Sequence, residues 1–558
     1  MAAAFILESS RQRNANLPTA SRYPFEPLLT MNRLVEFEMA VNPALAARNG
    51  EDENPTAGSD TLQAILFRIS QDKNVRGEEK FRRMTEAILG ELKRRGRYYY
   101  HVDLKDFNHT YYFDATRRLL LQLRSDEFAA WLSSLIGVNR SERLFTFVMT
   151  ELETEALARE TSGILPASYW HAKPDAIYLS CGGGTLARIS ADGVTLADNG
   201  TDGVLFAAGK TLPTWQLTEP VSAFDTCRLF ANVHTSARHG QLLLKTWVYS
   251  LPACPKNKPP LCLVGAVGSG KTRTIRGVAE LYGLPENVAR AEDANENDFW
   301  VSLDGGGVFI LDNCDSKVSW LADACAAAAT GGAKLKRQLY TDSSIVAMRA
   351  NAWLALTSAN PLFGNDSGLA DRLLVARLER RQDEPTADSK LSEEIATNRD
   401  AALSDIAYRL AEALADRDPV PHINARHPDW NTLAVRLGRA FGREAETIAA
   451  LTAAENDKSL FCLENDSIAT TVGAYLKEHG RFQGRADELC AELKKLDVEM
   501  DWLTSKKLGK RLAALWPHLE KVHKVSVEKD RKGYSIYSLK TKSADCAEFQ
   551  EAFSIKVA

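Results

Sequence analysis

The chain has 558 residues, 45% of them hydrophobic and 25% charged, with a net charge of −4. That is the profile of a folded, water-soluble protein of about three or four domains, and it excludes a polycation, so any nucleic-acid contact has to be local. No apolar run approaches a membrane span, the N-terminus lacks a signal peptide's basic flank, and nine cysteines without a C-x-x-C point to reduced thiols in a cytoplasmic protein without a zinc site.

Residues 1–58 read as a weakly ordered segment, with a polar breaker at Asn49–Pro55. Residues 59–235 read as an α+β domain. Thr61 to Arg95 is amphipathic and helical, with Leu62, Ile65, Leu66 and Ile69 on one face. Arg97–Val102 and Thr110–Phe113 form a strand pair about Asp106-Phe107-Asn108, helical periodicity returns from Asp126 to Arg159, and residues 176–208 alternate as short strands with Gly-rich turns. The aromatics Tyr98 to Tyr100 suit either a base-stacking platform or, as strand-borne aromatics usually do, a core.

Residues 236–385 carry the chemistry. A short apolar run, Leu261–Val264, leads into Gly265-Ala266-Val267-Gly268-Ser269-Gly270-Lys271-Thr272 and then a helical segment to Tyr282. This is the G-x-x-x-x-G-K-[ST] pattern in its strand–loop–helix setting. The glycines let successive N–H groups turn around a polyphosphate at a helix N-terminus. Lys271 would reach the β- and γ-phosphates of ATP, and the Thr272 hydroxyl would ligate Mg²⁺. Val308–Leu311 is a second buried strand ending in Asp312, a carboxylate placed to hold Mg²⁺. Asn313 follows, where a glutamate would polarise the attacking water; Asp315 could supply that charge, or Asn313 could orient the water. A third strand, Trp353–Thr357, ends in Ser358-Ala359-Asn360, with Asn360 the first candidate γ-phosphate sensor and Thr357 and Ser358 the others. Arg372 suits an arginine finger acting on a neighbouring subunit, or a local pair with Asp371.

Residues 386–463 read as a helical lid or connector interrupted by Pro419-Val420-Pro421. Residues 464–540 outline three helices and a hairpin, a winged helix. Asp466 caps the first helix, the second runs from Arg485 to Leu496, and Thr504-Ser505 caps the third. Between 501 and 540 ten basic residues face four acidic ones. Lys506, Lys507, Lys510 and Arg511 on the third helix, with Arg531 and Lys532 at the wing tip, are the expected duplex contacts. Residues 541–558 form a tail.

The order of P-loop, VFILDNCD, a basic segment, LTSANP and ADRLL resembles the AAA+ ATPase of phage and plasmid primase-helicases, related to superfamily III helicases. The resemblance covers about residues 240 to 385. It implies an α/β fold with a ring-forming ATPase core, and the α+β region before it resembles the domain that precedes that ATPase. It implies that Gly331 to Asp342 and Ile345 to Arg349 form a pore hairpin. There Lys334, Lys336 and Arg337 would track single-stranded DNA and Tyr340 would stack a base. The implied protein is an ATP- and Mg²⁺-dependent DNA helicase in a homo-hexamer or similar ring, with a separate primase as a further partner. A nucleotide-switched DNA-binding loader that does not unwind, and an ATPase of phage defence, are the alternatives.

Overall fold

The computed structural model describes residues 61–337, 345–380, 386–423 and 425–542. The expected N-terminal segment 1–58, Tyr340 and all but the first two residues of the tail lie outside them. The chain divides into two compact units, Met1–Ala64 and Ile65–Ala558. The described end of the first opens a helix, α1 (Leu62–Gln71). All later elements belong to the second unit.

The helical stretch expected from Thr61 to Arg95 is two helices. α2 (Glu78–Arg95) starts afresh after Gly77, which sits at φ 60°, a left-handed value that only glycine adopts readily. A four-stranded sheet follows, built from β1 (Gly96–His101), β2 (Thr110–Asp114), β3 (Leu119–Gln122) and β4 (Ser162–Ile164), in the order β3-β2-β1-β4. The helical stretch after it is also two helices, α3 (Asp126–Ile136) and α4 (Arg143–Ala156). Gly137, left-handed at φ 68°, ends the first, and the Ser125 hydroxyl caps its start by accepting from the Phe128 amide. A second sheet, antiparallel throughout, runs β5 (Trp170–Ala172), β6 (Ala176–Gly182), β7 (Thr185–Ser190), β8 (Gly193–Asp198), in that order.

After α5 (Gly240–Ser250) comes the central sheet of five parallel strands, β9 (Leu261–Val264), β10 (Val288–Arg290), β11 (Val308–Asp312), β14 (Trp353–Ser358) and β15 (Leu374–Arg377). Their order across the sheet is β10-β11-β14-β9-β15. α6 (Lys271–Tyr282), α7 (Glu296–Asp304) and α8 (Leu321–Ala329) connect them, and β12 (Ala333–Arg337) pairs antiparallel with β13 (Ile345–Arg349) in a hairpin between α8 and β14. The strands are apolar on both faces because both are covered. Leu261, Leu263, Val308, Ile310, Trp353 and Ala355 join a core that includes α5, α6 and the sheet β5–β8. Cys262, Val264, Phe309, Leu311, Leu354 and Leu356 face the opposite core.

Three long helices follow, α9 (Asp388–Ala415), α10 (Pro428–Ala440) and α11 (Glu444–Glu464). The C-terminal unit has α12 (Ser467–His479), β16 (Arg481–Arg485), α13 (Ala486–Leu496), α14 (Ser505–Val522), β17 (His523–Lys529) and β18 (Ser535–Thr541). Asp466 and Thr504 cap α12 and α14 as expected. β16 adds a third strand to the expected hairpin, giving the order β16-β18-β17. Leu508, Leu512, Leu515 and Leu519 of α14 enter the same core as the second face of the central sheet. Each such fully buried leucine is worth about 2 kcal/mol of transfer free energy. Among the described residues no helix is long and apolar enough to cross a membrane.

Candidate functional site

The site forms where β9, β11 and β14 end side by side. Parallel strands point their carboxyl ends the same way, so loops distant in sequence meet along one edge. β14 lies between the other two, bringing the tip of each within hydrogen-bond reach.

The loop after β9 is built for close approach. Gly268 and Gly270 are left-handed at φ 84° and 82°. A Cβ on Gly265 would collide with the carbonyl oxygen of Leu378. Ala266 and Val267 are exposed on the outer side of the loop, and Ser269 is buried with its hydroxyl unpartnered. The N-terminus of α6 has no side-chain cap, so its first amides are not taken up by a side chain. Lys271 folds back on the loop, its Nζ donating to the carbonyls of Gly265 and Ala266 at 2.6 and 3.0 Å. Burial holds its ammonium below the ordinary lysine value, against the opposing pull of Asp315 and Asp312.

Asp312 is the hub. Its Oδ1 accepts from the Thr272 hydroxyl at 2.7 Å and from the Thr357 hydroxyl at 2.5 Å. The backbone N–H of Asn313 donates to Thr357 Oγ1 at 3.2 Å. Asn313 is exposed and left-handed at φ 56°. An asparagine tolerates that conformation better than a glutamate, which is a backbone reason for the residue found here. One oxygen of Asp315 is engaged: its Oδ1 accepts from the Ser358 hydroxyl at 2.5 Å and from the amides of Ala359 and Asn360 at 2.8 Å each. Burial would raise its carboxyl, but the bonds from Asn360, Ser358 and Ala359 outweigh it and hold the group below its usual value. Asp315 therefore clamps the tip of β14, and the Asn360 side chain projects from that clamp into solvent.

A loop with left-handed glycines, an uncapped helix start, a buried orphan hydroxyl and a Lys–Thr–Asp set fit a nucleotide polyphosphate with a hydrated divalent cation. Lys271 would face the phosphates, and Thr272 and Asp312 would hold Mg²⁺, the cation that neutralises phosphate charge during transfer. Among the described residues no cluster of three or more His, Cys, Asp or Glu side chains could hold a metal without such a ligand.

One basic residue beside the loop is absent from the sequence reading. Arg380 follows β15, and its Nε lies 3.8 Å from where a Cβ on Gly268 would stand. Backbone bonds from Leu378 to Val264 (2.7 Å) and from Glu379 to His234 (3.0 Å) hold that segment against the loop. The basic pair Arg380-Arg381 after the run LLVARL was the available signal.

Arg372 lies apart from this cluster. Its Nη1 donates to the carbonyl of Gly368 in the one-turn helix Ser367–Ala370, while its Nε is buried without a partner. The local pair with Asp371 does not form; the Asp371 carboxylate sits 3.8 Å from Arg426. His427 donates from Nε2 to the Arg372 carbonyl at 3.0 Å, and burial pushes its imidazole down to about 4.

In the hairpin, Lys334 and Lys336 share one face. Lys336 is exposed, but Lys334 is 3.1 Å from Glu296 on α7, so its charge is partly spent within the protein. Arg337 ends the described part of β12. In the C-terminal unit Lys506, Lys507 and Lys510 are exposed on α14, and Arg531 and Lys532 are exposed at the β17–β18 turn. Arg511 departs from the expected basic face. Its guanidinium turns inward to Asp466 at 2.6 Å and the Asn365 carbonyl at 2.7 Å, because a residue one turn from the buried Leu508 and Leu515 points toward the core.

A comparison with curated proteins found no match. Among solved structures the chain is similar over 81% of its length to the apo C-terminal region of NrS-1, at 9% identity, 98% coverage of that chain and a TM-score of 0.37. It is similar over 62% of its length to a full-length MCM homolog from Methanopyrus kandleri, at 13% identity, 92% coverage and a TM-score of 0.29. Residues 227–458, which contain every group of the Gly265–Thr272 and Asp312 cluster described above, match the family described as actinomycete integrative conjugative element replication protein.

Proposed function

We propose that the chain is a ring-forming AAA+ P-loop ATPase that drives a DNA helicase or translocase during replication of a mobile element. The observation that carries this reading is the convergence of Thr272 and Thr357 on Asp312 at the carboxyl ends of three parallel strands, with Lys271 folded onto the adjoining glycine loop. The match of residues 227–458 to a conjugative-element replication family supports the replication setting. In this reading ATP and Mg²⁺ bind at the Gly265–Thr272 loop, Arg380 contacts phosphate from the same protomer, and Arg372 serves a neighbouring site. The β12–β13 hairpin grips a single strand, and the C-terminal three helices and three-stranded sheet act as a winged helix on duplex DNA. The test is ATP hydrolysis with and without single-stranded and forked DNA, beside displacement of a labelled strand. No hydrolysis in any condition sinks the reading.

The loader alternative draws on a specific observation. The pairing of Lys334 with Glu296 lowers the charge the hairpin offers a phosphate backbone. DNA-stimulated hydrolysis without strand displacement would decide for the loader.

A further inference from the structure

Among the described residues the four-stranded sheet of the N-terminal region is packed by α-helices on one face only. Tyr98 and Tyr112 point to the helical side, their rings 5.2 Å apart, and Tyr112 stacks on Trp131 of α3 at 5.6 Å. Strand alternation sends Arg97, Tyr99 and their partners Phe113 and Tyr111 to the opposite face. Among the described residues no α-helix packs there. Instead the loop after β8 arches over part of it, with Leu205 buried against Tyr111 and Leu120, and Tyr99 and Phe113 half-buried at the margin.

Between that loop and the strands runs an open groove of about 520 Å³. Its walls carry Lys93, Arg94, Arg95 and Arg97, with Tyr99 and Phe113 on the floor. Two carboxylates offset this charge. Glu91 takes both Arg94 and Arg95, at 2.8 and 2.5 Å, and Glu155 takes Lys93 at 2.8 Å. Four cations against two anions leave a positive groove, and Arg97 is exposed there with no partner among the described residues. The Gly203 position faces open space, so the groove is not closed at that wall.

We infer that this groove is a third nucleic-acid site, which takes a single strand of DNA, its phosphates along Arg97 and the end of α2 and a base against Tyr99 and Phe113. The features that recognise such a strand are a positive track and accessible aromatic faces, and both are present on one sheet face. A duplex would present no base face to Tyr99.

The experiment uses the full chain without nucleotide and a fluorescein-labelled twelve-residue oligothymidylate containing 4-thiothymidine. Anisotropy gives affinity across a salt series, and photocrosslinking followed by peptide mapping gives the place of contact. The parent should crosslink within residues 96–114. Arg97→Glu should lose that crosslink, weaken binding about tenfold and flatten the salt slope. Tyr99→Leu should weaken binding several-fold with the slope unchanged, since it removes stacking and no charge. Arg82→Glu, the same charge change on an exposed part of α2 outside the groove, should bind like the parent. Thermal melts check that each variant folds. Crosslinks confined to the hairpin and the C-terminal unit, with Arg97→Glu binding like the parent, would overturn the site. Equal loss in Arg82→Glu would reduce it to bulk charge, and occupancy by thymidine triphosphate with no oligonucleotide crosslink would overturn the strand. None of these outcomes depends on ATP hydrolysis, so the groove and the ATPase reading fail separately.

Discussion

Thr272 and Asp312, forty positions apart, share a hydrogen bond of 2.7 Å. One sits at the start of α6 and the other at the end of β11, so the bond exists only because parallel strands deliver both to the same edge of the sheet. It sets the two oxygens that would flank a hydrated Mg²⁺, and Thr357 holds the same carboxylate from the strand between.

Lys271→Ala should abolish ATP hydrolysis and weaken nucleotide binding strongly, because it removes the cation facing the β- and γ-phosphates. Asp312→Ala should block turnover while sparing part of the binding. A coupled-enzyme ATPase assay and fluorescent-nucleotide titration check both. Near-normal turnover in either variant would refute the site.

Arg380→Ala should weaken nucleotide binding about tenfold, the size expected for one charge-assisted phosphate contact of about 1.5 kcal/mol. The loss should be larger for ATP than for AMP. Equal affinity for all nucleotides in parent and variant would show that Arg380 only brackets the loop.

Arg372→Ala should cut turnover by roughly a hundredfold or more while leaving affinity intact, since an arginine finger acts on the transition state in a neighbouring subunit. Mixing it with Lys271→Ala protein should restore some activity, because mixed rings contain a few intact interfaces. Absence of recovery, with a monomer in solution, would count against the role in trans.

Replacing Lys334, Lys336 and Arg337 together with Ala should preserve basal hydrolysis and remove DNA stimulation and unwinding. With Lys334 already paired to Glu296, most of the loss should come from the other two. Parent-like displacement of a reporter strand from a fork would remove the hairpin as the translocating element.

His427 ties stability to pH at the Arg372 carbonyl. Its imidazole sits at about 4 in the fold, below the ordinary 6.5, because it is buried. Between those values the unfolded chain binds a proton that the folded chain does not. Its contribution is therefore complete above about pH 6.5 and is lost as pH falls toward 4, by roughly 2 kcal/mol at pH 5. Thermal melts at pH 7 and pH 5 should show a larger drop for the parent than for His427→Gln. Identical drops would assign the pH dependence to other groups.

Much of the candidate site was legible in the chain itself. A four-residue apolar run, a glycine loop and a helix start are local features, and so is a buried strand ending in Asp312. The Asp466 and Thr504 caps were legible for the same reason, since a cap spans three residues. Tertiary structure alone decided which partner each side chain met. Asp315 reads as a free carboxylate until β14 brings Ser358 and two amides onto it. Arg511 reads as one more cation on a basic helix until Asp466 and Asn365 claim it. β16 went unread because its partner in the ladder lies more than fifty residues away, Gln483 opposite Ser538. Arg380 gained its place beside Gly268 only when β15 paired with β9. Periodicity and capping are short-range and survive in one dimension, whereas the partners of these charged side chains and of β16 depend on which distant backbones pair.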